Sequence, residues 1–398
     1  MIAGRKPILN LKFDPYRAMF PIGLFLGIWG VGSWLIYGFN LTQNYPGTYH
    51  STLMIGGFLF LIATGFLMTA IPAFTETEVA TPVELGISIF FALALAIAGI
   101  ANDSILFHRL FLAQMVALLS FGVRRVLKRK NNPPPPFIFI ALGILCRFFG
   151  DVIMCIEDKR ALSEGWYILG HNLFFQGMML SFVLGVGSRL LPALMGWEEL
   201  PLEESITPAS LKPSLQNFQM PFLILVMFLL AASFFIEAFI DFKFGRILRA
   251  LCASVIAFRF WKLHKFPLEK TWLSRWLWVS GWCVVIGLWG YATFPSYAVD
   301  LLHITFVGGF SLMTLMIATR VTLAHGDHGY DLEGTSKALK WAGVLILAAM
   351  LTRVLAPFTM DRYRTHLGYA SLAWTMAIII WACVFLKKIF LLSNSDPN

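Results

Sequence analysis

Three histidines, His50, His171 and His303, are the side chains whose type and spacing could do chemistry. They stand 121 and 132 residues apart, and each is followed six residues later by a glycine: Gly56, Gly177 and Gly309. Later stretches rhyme too, as in Phe66-Leu-Met-Thr-Ala-Ile-Pro72, Ser188-Arg-Leu-Leu-Pro192 and Thr319-Arg-Val-Thr-Leu-Ala324. Neutral imidazoles that converge in a dry setting suit copper or, taken in pairs, the two axial positions of a haem. The plain alternative, a half-solvated histidine at a membrane interface, suits one such residue better than three in register with a shared glycine. The glycines leave either close helix packing or room for a flat macrocycle. Met54, one turn after His50, could add a thioether to Cu(I) or simply fill the core.

A second set of residues recurs at the starts of the fourth, eighth and twelfth apolar segments: His108 with Arg109, Arg246 with Arg249, and Arg362 and Arg364 with His366. These cations are expected either to face anionic groups such as haem propionates or to snorkel toward lipid phosphate. Arg147 and Asp151, four residues apart, can neutralise each other on one helix face. His264, His325 and His328 fall in connectors, where solvation is the default. No P-loop, GxSxG, HExxH or dinucleotide fingerprint occurs in a suitable context, so hydrolytic and nucleotide-driven chemistry has no support.

The elements that must position these residues follow from composition. Of 398 residues, 58% are hydrophobic and only 13% charged, with mean hydropathy +0.72. That charge content, about half the soluble average, cannot cover a water-exposed surface, so a bilayer is the solvent. Spans of about 20 residues fit twelve times: 18–39, 51–74, 84–100, 105–127, 136–156, 166–193, 219–240, 244–263, 272–294, 299–324, 337–357 and 366–391. The fold class expected is an all-α, polytopic membrane protein forming one integral membrane domain. The repeats divide it into three four-helix units, about 1–131, 132–267 and 268–398, around a pseudo-threefold axis along the membrane normal. Helices two, six and ten then carry the histidines on the outer side.

The net charge of +9 lies in clusters beside apolar segments, which indicates membrane lipid as the partner and not nucleic acid. With both termini cytoplasmic, nineteen Lys and Arg fall on the inner side, eight on the outer side and four (Arg147, Arg189, Arg320, Arg353) within helices. The basic lead-in Met1 to Arg17 lacks a cleavage site and is expected to stay cytosolic. The five cysteines lie in apolar stretches without a CxxC pair, so neither a disulfide framework nor a zinc site is expected.

The segments His50 to Phe74, Gly185 to Leu194 and Leu302 to Gly326 resemble the three signature helices of the NnrS family, and the similarity spreads over nearly the whole chain. That resemblance implies a bacterial inner-membrane protein of twelve helices, with haem, b-type here, and copper, associated with nitric oxide metabolism and nitrosative stress. The family's first signature reads Trp-His-Ala-His-Glu-Met, whereas this chain has Tyr49, His50, Ser51, Thr52, Leu53 and Met54. The second His and the Glu are absent, which weighs against copper and leaves His50 for a haem. The arrangement is also similar to the catalytic subunit of haem-copper oxidases, but the seventh helix here has no His, and Ile304 and Thr305 stand where a His-x-His pair would continue. A dioxygen-reducing centre is therefore not expected.

The expected function is a haem-binding inner-membrane protein, with copper as a candidate second metal, in nitric oxide metabolism or nitrosative-stress tolerance. The alternatives are a transporter with an axial histidine-lined site and a nitric oxide-reducing haem enzyme. The topology has a direct test: alkaline phosphatase fused after Asn398 should be inactive, because the clusters after helices four, eight and twelve share the cytoplasmic side. Periplasmic phosphatase activity would overturn it.

Overall fold

Long apolar runs must satisfy their backbone groups internally in hydrocarbon, which leaves the helix as the available form for each. Their starts are written locally. Thr81 and Glu84 form a reciprocal capping box, with Glu84 N donating to Thr81 Oγ1 (3.2 Å) and Thr81 N to Glu84 Oε2 (2.9 Å). Asp103, Asp241, Thr271 and Ser336 cap four further helices by accepting backbone N–H bonds. A computed structural model describes residues 14–156, 162–198, 213–326 and 328–390, with the backbone alone for 213–218. The helices are α1 Pro15–Gly38, α2 Gly47–Thr75, α3 Pro82–Ile100, α4 Ser104–Leu127, α5 Pro135–Met154, α6 Glu164–Leu194 and α7 Pro213–Phe239. They continue as α8 Phe242–Arg259, α9 Trp272–Thr293, α10 Pro295–His325, α11 Lys337–Phe358 and α12 Met360–Phe390. The described residues contain no strand. The lead-in before residue 14 and the acidic run after Glu198 lie outside the described residues.

Ten of these helices are long and apolar enough to cross a membrane; α8 and α9 fall short of the expected twelve. The reason is compositional: α8 carries Lys243, Arg246, Arg249 and Arg259 in 18 residues, and α9 carries five tryptophans with serines and glycines between them.

The helices pack in a recurring pattern. Within the first four, α1 lies on α2, α3 on α4 and α2 on α4; α5 to α8 and α9 to α12 repeat the same three pairings. The fourth helix of each set meets the first of the next, α4 on α5, α8 on α9 and α12 on α1. Helices α2, α6 and α10 together line a small apolar cavity of about 60 Å³, bordered by Phe66, Phe182 and Met313.

Arg17 in α1 donates to the carbonyls of Ile389 and His325, so the start of α1 shares one end of the molecule with the ends of α10 and α12. That end is called the terminal end below, and the opposite one, where α2, α6 and α10 begin, the histidine end. Between them, Trp374 donates to Ser311 Oγ (2.8 Å) while lying edge-on to Phe58 (5.2 Å), and Trp381 donates to Thr319 Oγ1 (2.8 Å). These bonds satisfy indole N–H groups that water cannot reach.

Helices α2, α6 and α10 each change from α to π winding directly after the histidine, at Leu53–Leu59, Leu173–Gly177 and Ile304–Ser311. The repeated glycines lie inside these π segments. A Cβ at Gly56 would meet the Phe107 ring (2.6 Å), at Gly177 the Cys146 side chain (2.9 Å) and at Gly309 Val284 (2.7 Å). Of the two uses left open by the sequence, the glycines therefore serve helix packing.

The closest crossing of α1 and α12 brings Gly38 onto the backbone of Gly368 and Arg364. Gly38→Val should lower the thermal midpoint of the detergent-purified protein, with an overpacking cost of about 1–3 kcal/mol. Gly32→Ala, where a Cβ enters open space, should not lower it; equal losses in both variants would refute the close-crossing account.

Candidate functional site

His50 and His303 both stand at the histidine end. They lie within electrostatic range of each other, and both feel the guanidinium of Arg353. His50 is in the first turn of α2, its Nδ1 3.2 Å from the Gly30 carbonyl of α1, with Trp34 edge-on at 5.8 Å. His303 is near the start of α10, its Nδ1 2.7 Å from the carbonyl of Val299 one turn earlier. A carbonyl only accepts, so in each ring Nδ1 carries the proton and the lone pair sits on Nε2. Each imidazole is thus oriented by backbone and keeps its Nε2 lone pair free for a metal.

Around this pair stands a polar and aromatic wall. Arg353, on the last turns of α11, forms an ion pair with Asp300 on the first turn of α10. Tyr363 of α12 is within electrostatic range of Arg353, Asp300, Tyr37 and Tyr45. Trp34, Tyr37 and Tyr45 pack edge to face at 5.2–5.8 Å. Arg364 ties α12 to the α1–α2 turn, donating to the carbonyls of Tyr37 and Thr42 (2.9 Å each) and to Gln43 Oε1 (3.0 Å). Two buried nitrogens of the same helix, Arg364 Nε and His366 Nδ1, have no hydrogen-bond partner among the described residues.

The other residues singled out in the sequence are placed differently. His171 is exposed on α6, its ring against Phe175 (4.5 Å) and Tyr167 (6.1 Å) of its own helix. Met54 is half-buried and packs against the core. Arg109 and Arg362 are exposed at the histidine end. Arg249 is fully buried: it donates to Glu237 Oε2 (2.6 Å) and Gln176 Oε1 (2.8 Å) and lies over the Phe234 ring. Arg246 donates to Glu237 Oε1 (2.8 Å) over the Tyr291 ring, and Tyr291 OH donates to the same carboxylate oxygen (2.8 Å). These two rim arginines are therefore committed inside the fold by Glu237, a carboxylate that sequence reasoning did not single out although it ends an otherwise apolar helix.

The Arg147–Asp151 pair forms as expected (2.7 Å), but with a third member. His108 Nδ1 is 2.7 Å from the other oxygen of Asp151, and the Arg147 guanidinium lies between the Phe111 and Phe174 rings at 3.5 and 3.4 Å. Asp300 with Arg353 was missed in the same way as Glu237. The only signal was an ionisable residue in each of two neighbouring apolar segments.

No group of three His, Cys, Asp or Glu side chains that could hold a metal ion occurs among the described residues. The donor set at this site is two imidazoles. That is too few for a bare copper ion, which would need further ligands, and it is what a haem iron takes from a protein, the macrocycle supplying the other four nitrogens.

Glu237→Gln, which leaves two guanidiniums facing one neutral amide, should destabilise the protein by about 3–5 kcal/mol. The check is the thermal midpoint, with Glu237→Gln/Arg249→Met recovering part of the loss; a neutral single variant would show that water already reaches the cluster. A comparison with curated proteins finds no match. The family model described as NnrS protein matches residues 11–391, nearly the whole chain, and the protein belongs to the NnrS family.

Proposed function

We propose that this protein is a haem-binding protein of the bacterial inner membrane that acts in nitric oxide metabolism or nitrosative-stress tolerance. His50 and His303 are its iron ligands. The observation that carries this reading is the pair of neighbouring imidazoles whose Nδ1 atoms are both tied to backbone carbonyls, leaving both Nε2 lone pairs for a metal. Family membership supplies the nitric oxide context.

A haem held by His50 and His303 would supply one-electron exchange. The chain's residues account for the rest. The bonds to Gly30 and Val299 fix the ring orientations, and Trp34 and Phe306 pack edge-on against the His50 and His303 rings. Since Arg246 and Arg249 serve Glu237, the expected rim keeps Arg109, Arg362 and Arg364, and of these Arg364, with its unpartnered Nε and its bonds to the α1–α2 turn before His50, is the one proposed for a propionate. With no CxxC pair, covalent c-type attachment is excluded and a b-type haem fits. Copper is the weaker occupant, because it would have to draw on Met54 or on the exposed His171.

The same reading places twelve helices in three four-helix units around a pseudo-threefold axis, with both termini cytoplasmic. The repeated pairings, the closing contact of α12 on α1 and the three π segments support it.

The test is the absorption spectrum of the detergent-purified protein after expression with haem supplied. The wild type should show a Soret band that His50→Ala and His303→Ala each lose or shift, while His171→Ala keeps the wild-type spectrum. No Soret band in the wild type would favour the transporter alternative; unchanged spectra in both the His50 and His303 variants would end the paired-ligand assignment.

A further inference from the structure

A second and much larger cavity lies at the terminal end, far from the histidines. It occupies about 830 Å³ between the last turns of α2 and α4, the first turns of α5 and the start of α7. Its walls include Ile71, Phe74, Leu118, Val123, Ile140 and Ile144. On the α4 side Leu119, Val123, Val126 and Leu127 are exposed, so the cleft opens sideways, at the depth where helices of this kind face lipid.

The mouth is a built turn. Between α4 and α5, Lys130 N and Asn131 N both donate to the Thr75 carbonyl at the end of α2 (3.0 and 3.4 Å), and Asn131 Nδ2 donates to Glu76 Oε1 (3.0 Å). Arg129, which lines the cleft, is held by bonds from Nε to Asn132 Oδ1 and from Nη1 to the Val126 carbonyl (2.7 Å each). Pro133, Pro134 and Pro135 complete the wall. They bring no backbone N–H into an apolar surface and keep the turn stiff.

Charge at this mouth is uneven. Arg125 and Arg124 are paired with Glu84 (2.9 and 3.4 Å). Lys128, Arg129 and Lys130 are exposed and form no ion pair among the described residues, and the nearby Glu76 accepts from Asn131. Three cations thus stand at the rim of a cleft that is apolar below them. A water-soluble anion would find no polar wall inside, and an uncharged apolar molecule would not use the rim. An amphiphile with an anionic head and hydrocarbon tails matches both parts, and the volume falls in the roughly 300–1,000 Å³ range of specific small-molecule sites. Basic pockets between membrane helices hold anionic lipid heads by this combination.

We propose that this cleft is a binding site for an anionic phospholipid of the leaflet at the terminal end. Its head group sits on Lys128, Arg129 and Lys130, and an acyl chain lies between α4 and α5. The lipid would fill the gap between the first and second sets of four helices, where α4 and α5 part below their contact. The site is independent of the haem assignment, and its test does not use the haem spectrum.

The experiment is native mass spectrometry of the full-length protein released from nanodiscs of equal phosphatidylglycerol and phosphatidylethanolamine. Retained lipid should favour phosphatidylglycerol by at least about tenfold, a magnitude that three interfacial cations give after screening. The triple variant Lys128→Gln/Arg129→Gln/Lys130→Gln should bring the ratio near unity. Val123→Trp, which fills the cleft, should reduce retention of both lipids. Lys387→Gln/Lys388→Gln, at the same end but away from the cleft, should leave the preference intact, and thermal midpoints of all variants report folding. Equal retention of the two lipids by the wild type would overturn the proposal, as would a preference that survives the triple variant or a lipid-soluble carrier copurifying in their place.

Discussion

A charge inside hydrocarbon must be neutralised where it stands, and that constraint organises the histidine end of this protein. Three buried or half-buried ionic clusters meet it: His108 with Asp151 and Arg147, Glu237 with Arg246 and Arg249, and Asp300 with Arg353. Each joins successive helices of the chain; the first two lie where one set of four helices meets the next, and the third lies within the last set. The first connects α4 to α5. The second draws α7, α8 and α9 together through Glu237 and Tyr291, and the third links α10 to α11 beside the Arg364 contacts that hold α12 to α1. Removing one partner from such a cluster leaves an uncompensated ion, so the clusters specify which helices are neighbours more than they add net stability.

The π segments are the second device. A π turn widens the helix by one residue and shifts the faces on either side of it, which is why such turns collect at functional sites. Here they follow each histidine and coincide with the glycines that let α4, α5 and α9 approach. Two of the ionic clusters reach into one of them. Arg249 donates to Gln176, and Arg147 packs on the ring and donates to the carbonyl of Phe174, both within Leu173–Gly177. The charged clusters and the irregular winding of α6 are therefore mutually dependent, whereas at α2 and α10 the residues beside the π segment are the paired imidazoles.

Arginine plays two different parts in this arrangement. Where a carboxylate faces it from another helix, as with Glu237 and Asp300, the guanidinium is consumed by the fold. Where only carbonyls and an amide receive it, as with Arg364, its geometry is fixed while no carboxylate among the described residues pairs with its charge. The second kind can meet an anionic ligand without dismantling the structure, and it stands at the same junction as His50 and His303.

Much of this was legible in the chain itself. Charge content pointed to the bilayer as solvent, apolar run lengths marked the helices, and the recurring histidines with their glycines marked the two residues proposed as iron ligands. Those properties are local or periodic, and a periodic signal survives without knowledge of neighbours. The sequence favoured His50 and His303 as the iron pair and kept His171 for copper or a second ligand role, but with the same local context at all three it could not show that His171 faces outward. Only the packing of α1, α10, α11 and α12 decides which imidazoles meet. Nor could it show that Arg246 and Arg249 are occupied, since Glu237 reaches them across a helical turn and a helix–helix contact. The α-to-π change was also hidden, because it arises from the fit of glycine-bearing helices against Phe107, Cys146 and Val284, and that fit exists only once the helices are assembled.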